Sequence, residues 1–237
     1  MSDKKLTRAE KRALAEKRAL AKRKKQMQSI GIMVLGLLII ASGIVLVSFI
    51  QPKLSSASEY DYSLATGNSI GEPNAPLVIE VFSSFGCVHC RDFAVETEQQ
   101  VFDNYVKTGK VFFIYRSFNN PADRLGIAAQ AAYCAGDQGK FWEMHDLIFA
   151  NFSATGYSDK QLSKMVETLE LDTDEYDSCM ESGKYVGTVE TDAKLGTTAG
   201  VTGTPSFTFN GELTVEGNRD FAAFQAQIEA SLAAIEN

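Results

Sequence analysis

Two short apolar runs with a helical stretch between them dominate residues 77–116. Leu77-Val78-Ile79-Glu80-Val81-Phe82 is β-branched and aromatic, broken only by Glu80, and predicts a buried strand. Lys110-Val111-Phe112-Phe113-Ile114-Tyr115-Arg116 predicts a second. Over 88–108 the apolar positions Phe93, Ala94, Val101, Phe102 and Tyr105 share one broad helical face. Strand, helix and strand in that order make a βαβ unit, so the two strands run parallel. Turn residues in Gly71-Glu72-Pro73-Asn74-Ala75-Pro76 lead into the first strand, and a weaker strand signal lies at 60–64.

Beyond the second strand the period stays helical for roughly eighty residues. The segments are 122–135, rich in alanine, then 141–152 with Trp142, His145, Leu147 and Ile148, then 159–169 with Ser158 as N-cap, and finally 172–182 and 185–199. The strand pattern resumes over 201–209. Asn210-Gly211 is a hairpin turn, 212–216 the returning strand and 221–235 a closing helix carrying Ile228, Leu232 and Ile235. The 237 residues, 45% of them hydrophobic, suffice for one such domain plus extra segments.

Charge divides the chain unevenly. Residues 1–28 hold 11 Lys and Arg against 3 Asp and Glu, while the remainder holds 12 against 27. Directly after the basic stretch, 29–50 contains no charged residue. Those 22 residues would form a helix of about 33 Å, enough to cross a hydrocarbon core of about 30 Å. The basic flank then stays cytoplasmic and the C-terminal part is translocated. Its position explains the basic run as a topology signal that is drawn to anionic lipid, and no nucleic-acid partner is expected. Ser55-Ser56-Ala57 offers a small-residue cleavage site. The apolar run is nonetheless longer than a signal peptide's, which favours an uncleaved anchor, and no cysteine follows closely enough for a lipoprotein. The expected organisation is a basic cytoplasmic tail (1–28), a transmembrane anchor (29–50), a Ser-rich linker (51–69) and a folded domain (70–237) with its helical insertion at about 121–199.

The candidate chemistry is Cys87-Val88-His89-Cys90, where the first strand ends and the helix begins. Disulfide exchange proceeds through a thiolate, so the reactive sulfur must be accessible and its anion stabilised. At a helix N-terminus Cys87 would face unpaired N–H groups, and His89 could add a donor or a positive charge. Cys90, one turn in, would be the resolving thiol. Zinc needs four ligands, and Cys134, Cys179 and His145 supply no second close pair. Neither a metal nor a cofactor is expected. Trp142 and His145 read as core residues on one helix face, with no catalytic role assigned.

Together, Cys87-Val88-His89-Cys90, the helical insertion, Gly139-Lys140-Phe141-Trp142-Glu143-Met144-His145 and Gly200-Val201-Thr202-Gly203-Thr204-Pro205 resemble the DsbA-like thiol-disulfide oxidoreductases of bacteria, in their membrane-anchored branch. The resemblance covers about residues 70–235. It implies a thioredoxin-like α/β fold with the helical insertion between a βαβ half and a C-terminal ββα half, preceded by one transmembrane helix. It implies further that Pro205 is cis and lies against the cysteine pair, with the Thr204 backbone free to pair with an extended client; a trans proline at a strand start is the alternative. Relatives often carry a second disulfide across the insertion, which Cys134 and Cys179 resemble; otherwise the two are buried free thiols.

The implied activity is donation of the Cys87–Cys90 disulfide to secreted or membrane clients through a mixed disulfide at Cys87, with a quinone-linked membrane partner restoring it. An isomerase or reductant, and a membrane-tethered chaperone-like module, are the rivals. Three positions depart from the common pattern. Val88 stands where many members have proline, Ser84 where an Asp is common, and Val81 where many carry a buried acid that takes the resolving thiol's proton.

Overall fold

In the computed structural model, residues 60–236 are described, with Met27 alone outside them. The basic tail apart from Met27, the proposed anchor at 29–50 and 51–59 of the expected linker lie outside the described residues. Among the described residues no helix is long and apolar enough to cross a membrane.

The βαβ unit is present as read. Strand β3 (Leu77–Ser83) pairs in parallel with β4 (Val111–Ser117), from Leu77 opposite Val111 to Ser83 opposite Ser117. Alternation sends Leu77, Ile79 and Val81 to one buried face and turns Glu80 to the other. The connecting helix, α1, runs over 88–106. Val88–Phe93 and Gln99–Val101 are α-helical in it, and Ala94–Glu98 and Phe102–Val106 are π-helical. Its buried residues recur in pairs every four positions: Phe93 and Ala94, Thr97 and Glu98, Val101 and Phe102, Tyr105 and Val106. A plain 3.6-residue helix would rotate such pairs by about 40° per step. The wider i→i+5 turns absorb that drift and keep one face on the sheet. Phe93 thereby reaches Phe207 at 4.7 Å and Phe224 at 5.4 Å between ring centroids.

The full sheet has six strands in the order β1-β2-β4-β3-β5-β6. The expected strand at 60–64 does not form. A two-residue hairpin, β1 (Ala65–Thr66) and β2 (Ser69–Ile70), pairs with β4 instead, turning at Gly67 with φ +55°. Tyr62 fixes the segment before it, stacking on Trp142 at 6.1 Å and donating its hydroxyl to Asp146 at 2.6 Å. The C-terminal half is as expected, except that β5 is confined to Ser206–Phe209 because 201–205 forms a loop. Asn210 and Gly211, both at positive φ, turn the chain into β6 (Glu212–Glu216), and α7 (Phe221–Ile235) closes the fold.

The insertion holds five helices: α2 (Arg124–Asp137), α3 (Phe141–Ala150), α4 (Asp159–Thr168), α5 (Thr173–Glu181) and α6 (Val186–Thr198). Helix α2 begins two residues later than 122 because Asp123 is its N-cap, accepting from the N–H groups of Leu125 and Gly126. Ser158 caps α4 as anticipated, in a capping box with Gln161. Cys134 of α2 and Cys179 of α5 form a disulfide.

A buried polar network holds α6 to the sheet. Asp192, 1% exposed, accepts from Ser117 N at 3.2 Å, from Arg116 Nη1 at 3.2 Å and from the Tyr133 hydroxyl. Arg116 also donates to Glu80 at 2.9 Å, and the Thr208 hydroxyl donates to the same carboxylate at 3.1 Å. Replacing Asp192 with Ala strands two buried donors, the Ser117 N–H and the Tyr133 hydroxyl, takes from Arg116 one of its two carboxylates, and is expected to cost about 3 kcal/mol of unfolding free energy, measured by urea denaturation. A loss within about 0.5 kcal/mol, as for an ordinary surface site, would show the network to be dispensable.

Candidate active site

The turn from β3 into α1 sets the two cysteines at different depths. Cys87 N donates to Ser84 O at 3.0 Å, and the Ser84 hydroxyl donates to Asn119 Oδ1 at 2.7 Å, which pins the loop to the segment after β4. Gly86 passes so close to Leu125 that a Cβ there would lie 2.6 Å from its side chain. Cys87 is the N-cap residue, with extended backbone and a half-buried side chain. Cys90 is 1% exposed, and both are free thiols.

The Cys87 thiol donates to the Thr204 carbonyl at 3.2 Å, and the Thr204–Pro205 peptide bond is cis. Thr204 and Pro205 therefore stand beside the cysteine pair although 117 residues separate Cys87 from Thr204. Gly217 N donates to Pro205 O at 2.7 Å and fixes the loop from behind. The exposed His89 side chain lies at the rim, and this residue reaches Cys87 through its backbone N–H.

These contacts separate the acidities of the two sulfurs. Hydrogen bonding from Cys90 is the largest influence on Cys87 and lowers its pKa to about 5; burial opposes this, while the Thr204 side chain and the N–H groups of Cys90 and His89 add to it. Burial pushes the Cys90 thiol far up, and its hydrogen bond to Cys87 adds to the rise. Iodoacetamide should accordingly label Cys87 at a rate that climbs through about pH 5 and is nearly flat between about pH 6 and 8. A rate still climbing at pH 8 would mean an ordinary thiol.

Cys134 and Cys179 are joined to each other and cannot complete a tetrahedral zinc site with Cys87 and Cys90. Trp142 is core, as read, with its indole N–H donating to Ser69 O at 3.2 Å. His145 is equally buried but has charged company that the sequence reading missed. Its Nδ1 lies 3.1 Å from Asp146 Oδ1 and 3.9 Å from Oε1 of Glu98, which is itself buried. The signal for Glu98 was the four-residue recurrence of core positions along α1, which includes position 98. These three side chains are the one set among the described residues with metal-capable donor atoms within 4.8 Å of one another. Aromatic rings surround the histidine, with Phe85, Trp142 and Phe149 all within 5.8 Å of its centroid.

A half-exposed acidic thiol paired with a buried one, at the start of a helix on this sheet, is the apparatus of thiol-disulfide exchange. Fold and site define a thiol-disulfide oxidoreductase. A thioredoxin family model matches residues 63–230, and the chain belongs to that family. It is 27% identical over 217 residues to "Probable disulfide bond formation protein D" of Bacillus cereus, covering 89% of this chain and 99% of that one. Among solved structures, oxidised BdbD from Bacillus subtilis superposes with a TM-score of 0.62 at 18% identity, covering 76% of this chain and 100% of that one. The alpha-DsbA1 of Wolbachia pipientis gives 0.59 at 22% identity, over 71% and 92%. At these identities the structural likenesses speak for the DsbA-like fold, with its helical insertion.

Proposed function

We propose that the protein is an extracytoplasmic disulfide donor, held to the membrane by 29–50 with 1–28 in the cytoplasm and 51–59 as its tether, since the rest of the expected linker, 60–69, packs into the folded domain. The observation that carries this reading is the opposed acidity of Cys87 and Cys90 beside the Thr204 backbone. A client thiolate attacks Cys87 of the oxidised pair and Cys90 leaves. The client's second thiolate then displaces Cys87, so the client gains a disulfide and the pair is left reduced. Thr204 and Pro205 would present main chain for an extended client to pair with. A quinone-linked membrane partner would take the two electrons back, and anchoring in one bilayer would raise the effective concentration of that encounter. The likeness to a disulfide bond formation protein over 89% of the chain supports the same direction of transfer.

The test is oxidation of a reduced two-cysteine peptide by the oxidised full-length chain, one peptide disulfide being expected per protein. A chain in which Cys87→Ser and Cys90→Ser are combined should form none. Peptide capture undiminished in that double variant, with no peptide oxidation by the parent, would establish the chaperone-like module in its place.

A further inference from the structure

One group of buried charges lacks a counter-charge. Glu98 of α1 and His145 of α3 are almost wholly buried, and the Asp146 side chain beside them is 12% exposed. His145 Nδ1 faces both carboxylates, 3.1 Å from Asp146 Oδ1 and 3.9 Å from Glu98 Oε1. Neither acid meets a lysine or an arginine among the described residues. Asp192 is the contrast, since its equally buried carboxylate is met by Arg116 and by two further donors. No described group donates a hydrogen bond to Glu98, and 3.9 Å is too long for one from His145. Even with a protonated imidazole, two carboxylates leave one negative charge over, and an uncompensated charge is costly among the rings of Phe85, Trp142 and Phe149.

The spacing suits a cation. The three donor atoms, from three side chains on two helices, all lie within 4.8 Å of one another. A tetrahedral zinc ion with bonds of about 2.1 Å keeps neighbouring ligand atoms about 3.4 Å apart. The distances of 3.1 and 3.9 Å from His145 Nδ1 bracket that value. A divalent ion bound by two carboxylates and a neutral imidazole leaves no net charge. Tyr62 completes the arrangement, because its hydroxyl donates to Asp146 Oδ2 at 2.6 Å and leaves Oδ1 facing the histidine. Such an outer hydrogen bond is how ligating carboxylates are held in place. Imidazole among the donors favours a first-row transition ion over calcium or magnesium, which take oxygen.

We propose that Glu98, His145 and Asp146 bind one divalent transition-metal ion, zinc being the match to this donor set, with Tyr62 orienting Asp146. The fourth position is left to water. The ion ties α1, the helix that starts at the cysteine pair, to α3 of the insertion and to the segment ahead of β1. Its role is structural. It uses none of the four cysteines and holds whether or not the protein is a disulfide donor.

The test uses the untagged full-length chain with Cys87 and Cys90 joined, so that no thiolate competes for metal. The chain is stripped with a chelator and titrated with Zn²⁺ alone. One zinc per chain should bind, and at a hundredfold excess over Kd the melting temperature should rise by about 5–10 °C. Tyr62→Phe should weaken binding about ten- to a hundredfold. Glu98→Gln and His145→Gln should each lose the stoichiometric site. In the unmutated chain, Co²⁺ should give the visible bands of a nitrogen and oxygen site with no thiolate band, a readout independent of how well the variants fold. A parent chain that binds no zinc would overturn the proposal, and a proton shared within the cluster would then be what neutralises it. Zinc held by both ligand variants as tightly as by the parent would overturn it too, by placing the ion elsewhere.

Discussion

Replacing Cys87 with Ser is expected to reduce thiol-disulfide exchange by about 10⁴-fold or more, the scale on which loss of an enzyme nucleophile is felt. A hydroxyl at that position can neither form the mixed disulfide nor leave as a stabilised anion. The contacts that act on Cys87, from Cys90, Thr204 and the N–H groups of Cys90 and His89, have value only for an atom that ionises near neutral pH. Replacing Cys90 with Ala should have a different result. Cys87 keeps its place as N-cap and its partner Thr204, so it still reacts, but nothing inside the protein can displace what it has captured. Loaded with glutathione on Cys87, the variant should exchange that group for the thiolate of a two-cysteine peptide whose other thiol is blocked, releasing glutathione and accumulating as a covalent complex visible by non-reducing electrophoresis. Equal activity in the Cys87 variant and the parent would remove Cys87 from the chemistry altogether.

The second large effect is on stability. Cys134→Ala combined with Cys179→Ala opens a loop with a sequence separation of 45 between the packed helices α2 and α5. The expected loss is about 2–4 kcal/mol of unfolding free energy, most of it from the freer unfolded chain. Helix α2 should survive, because Ala128, Ala129, Ala131 and Ala132 are all completely buried independently of the bridge. Exchange at Cys87 should therefore continue at the parent rate below the new melting temperature. A double variant as stable as the parent in urea would show that this bridge constrains nothing.

What the sequence disclosed follows from how local each signal was. The βαβ unit, the Asn210-Gly211 turn and the Ser158 cap are written in neighbouring residues, and each is where it was expected. So is the cysteine pair, because strand end and helix start flank it directly. The disulfide and the Thr204–Pro205 contact rested on resemblance, since each joins positions far apart in the chain. The hairpin at 65–70 escaped because four strand residues around a turn give no period to read. Asp192 stands among polar residues of α6 with no local signal of burial. Only its meeting with Arg116, 76 residues away, makes it a buried hub. Glu98 escaped for a different reason: four residues after Ala94 and three before Val101, it lies on the apolar face of α1 by ordinary helical spacing, and only its charge argued against burial.

The direction of electron flow decides what the cysteine pair does. A Cys87 pKa lowered in the folded protein stabilises the reduced form. By linkage, that stabilisation is fully present above the thiol's unfolded value near 9 and is lost as pH falls through about 5. At pH 7 a stabilised reduced form makes the disulfide a strong oxidant. The measurement that tests this most directly is the reduction potential of the Cys87–Cys90 pair in the full-length chain, against a glutathione buffer at pH 7. The expected value is more positive than about −180 mV. A value near about −270 mV, in the range of thioredoxin, would contradict it and make the protein a reductant.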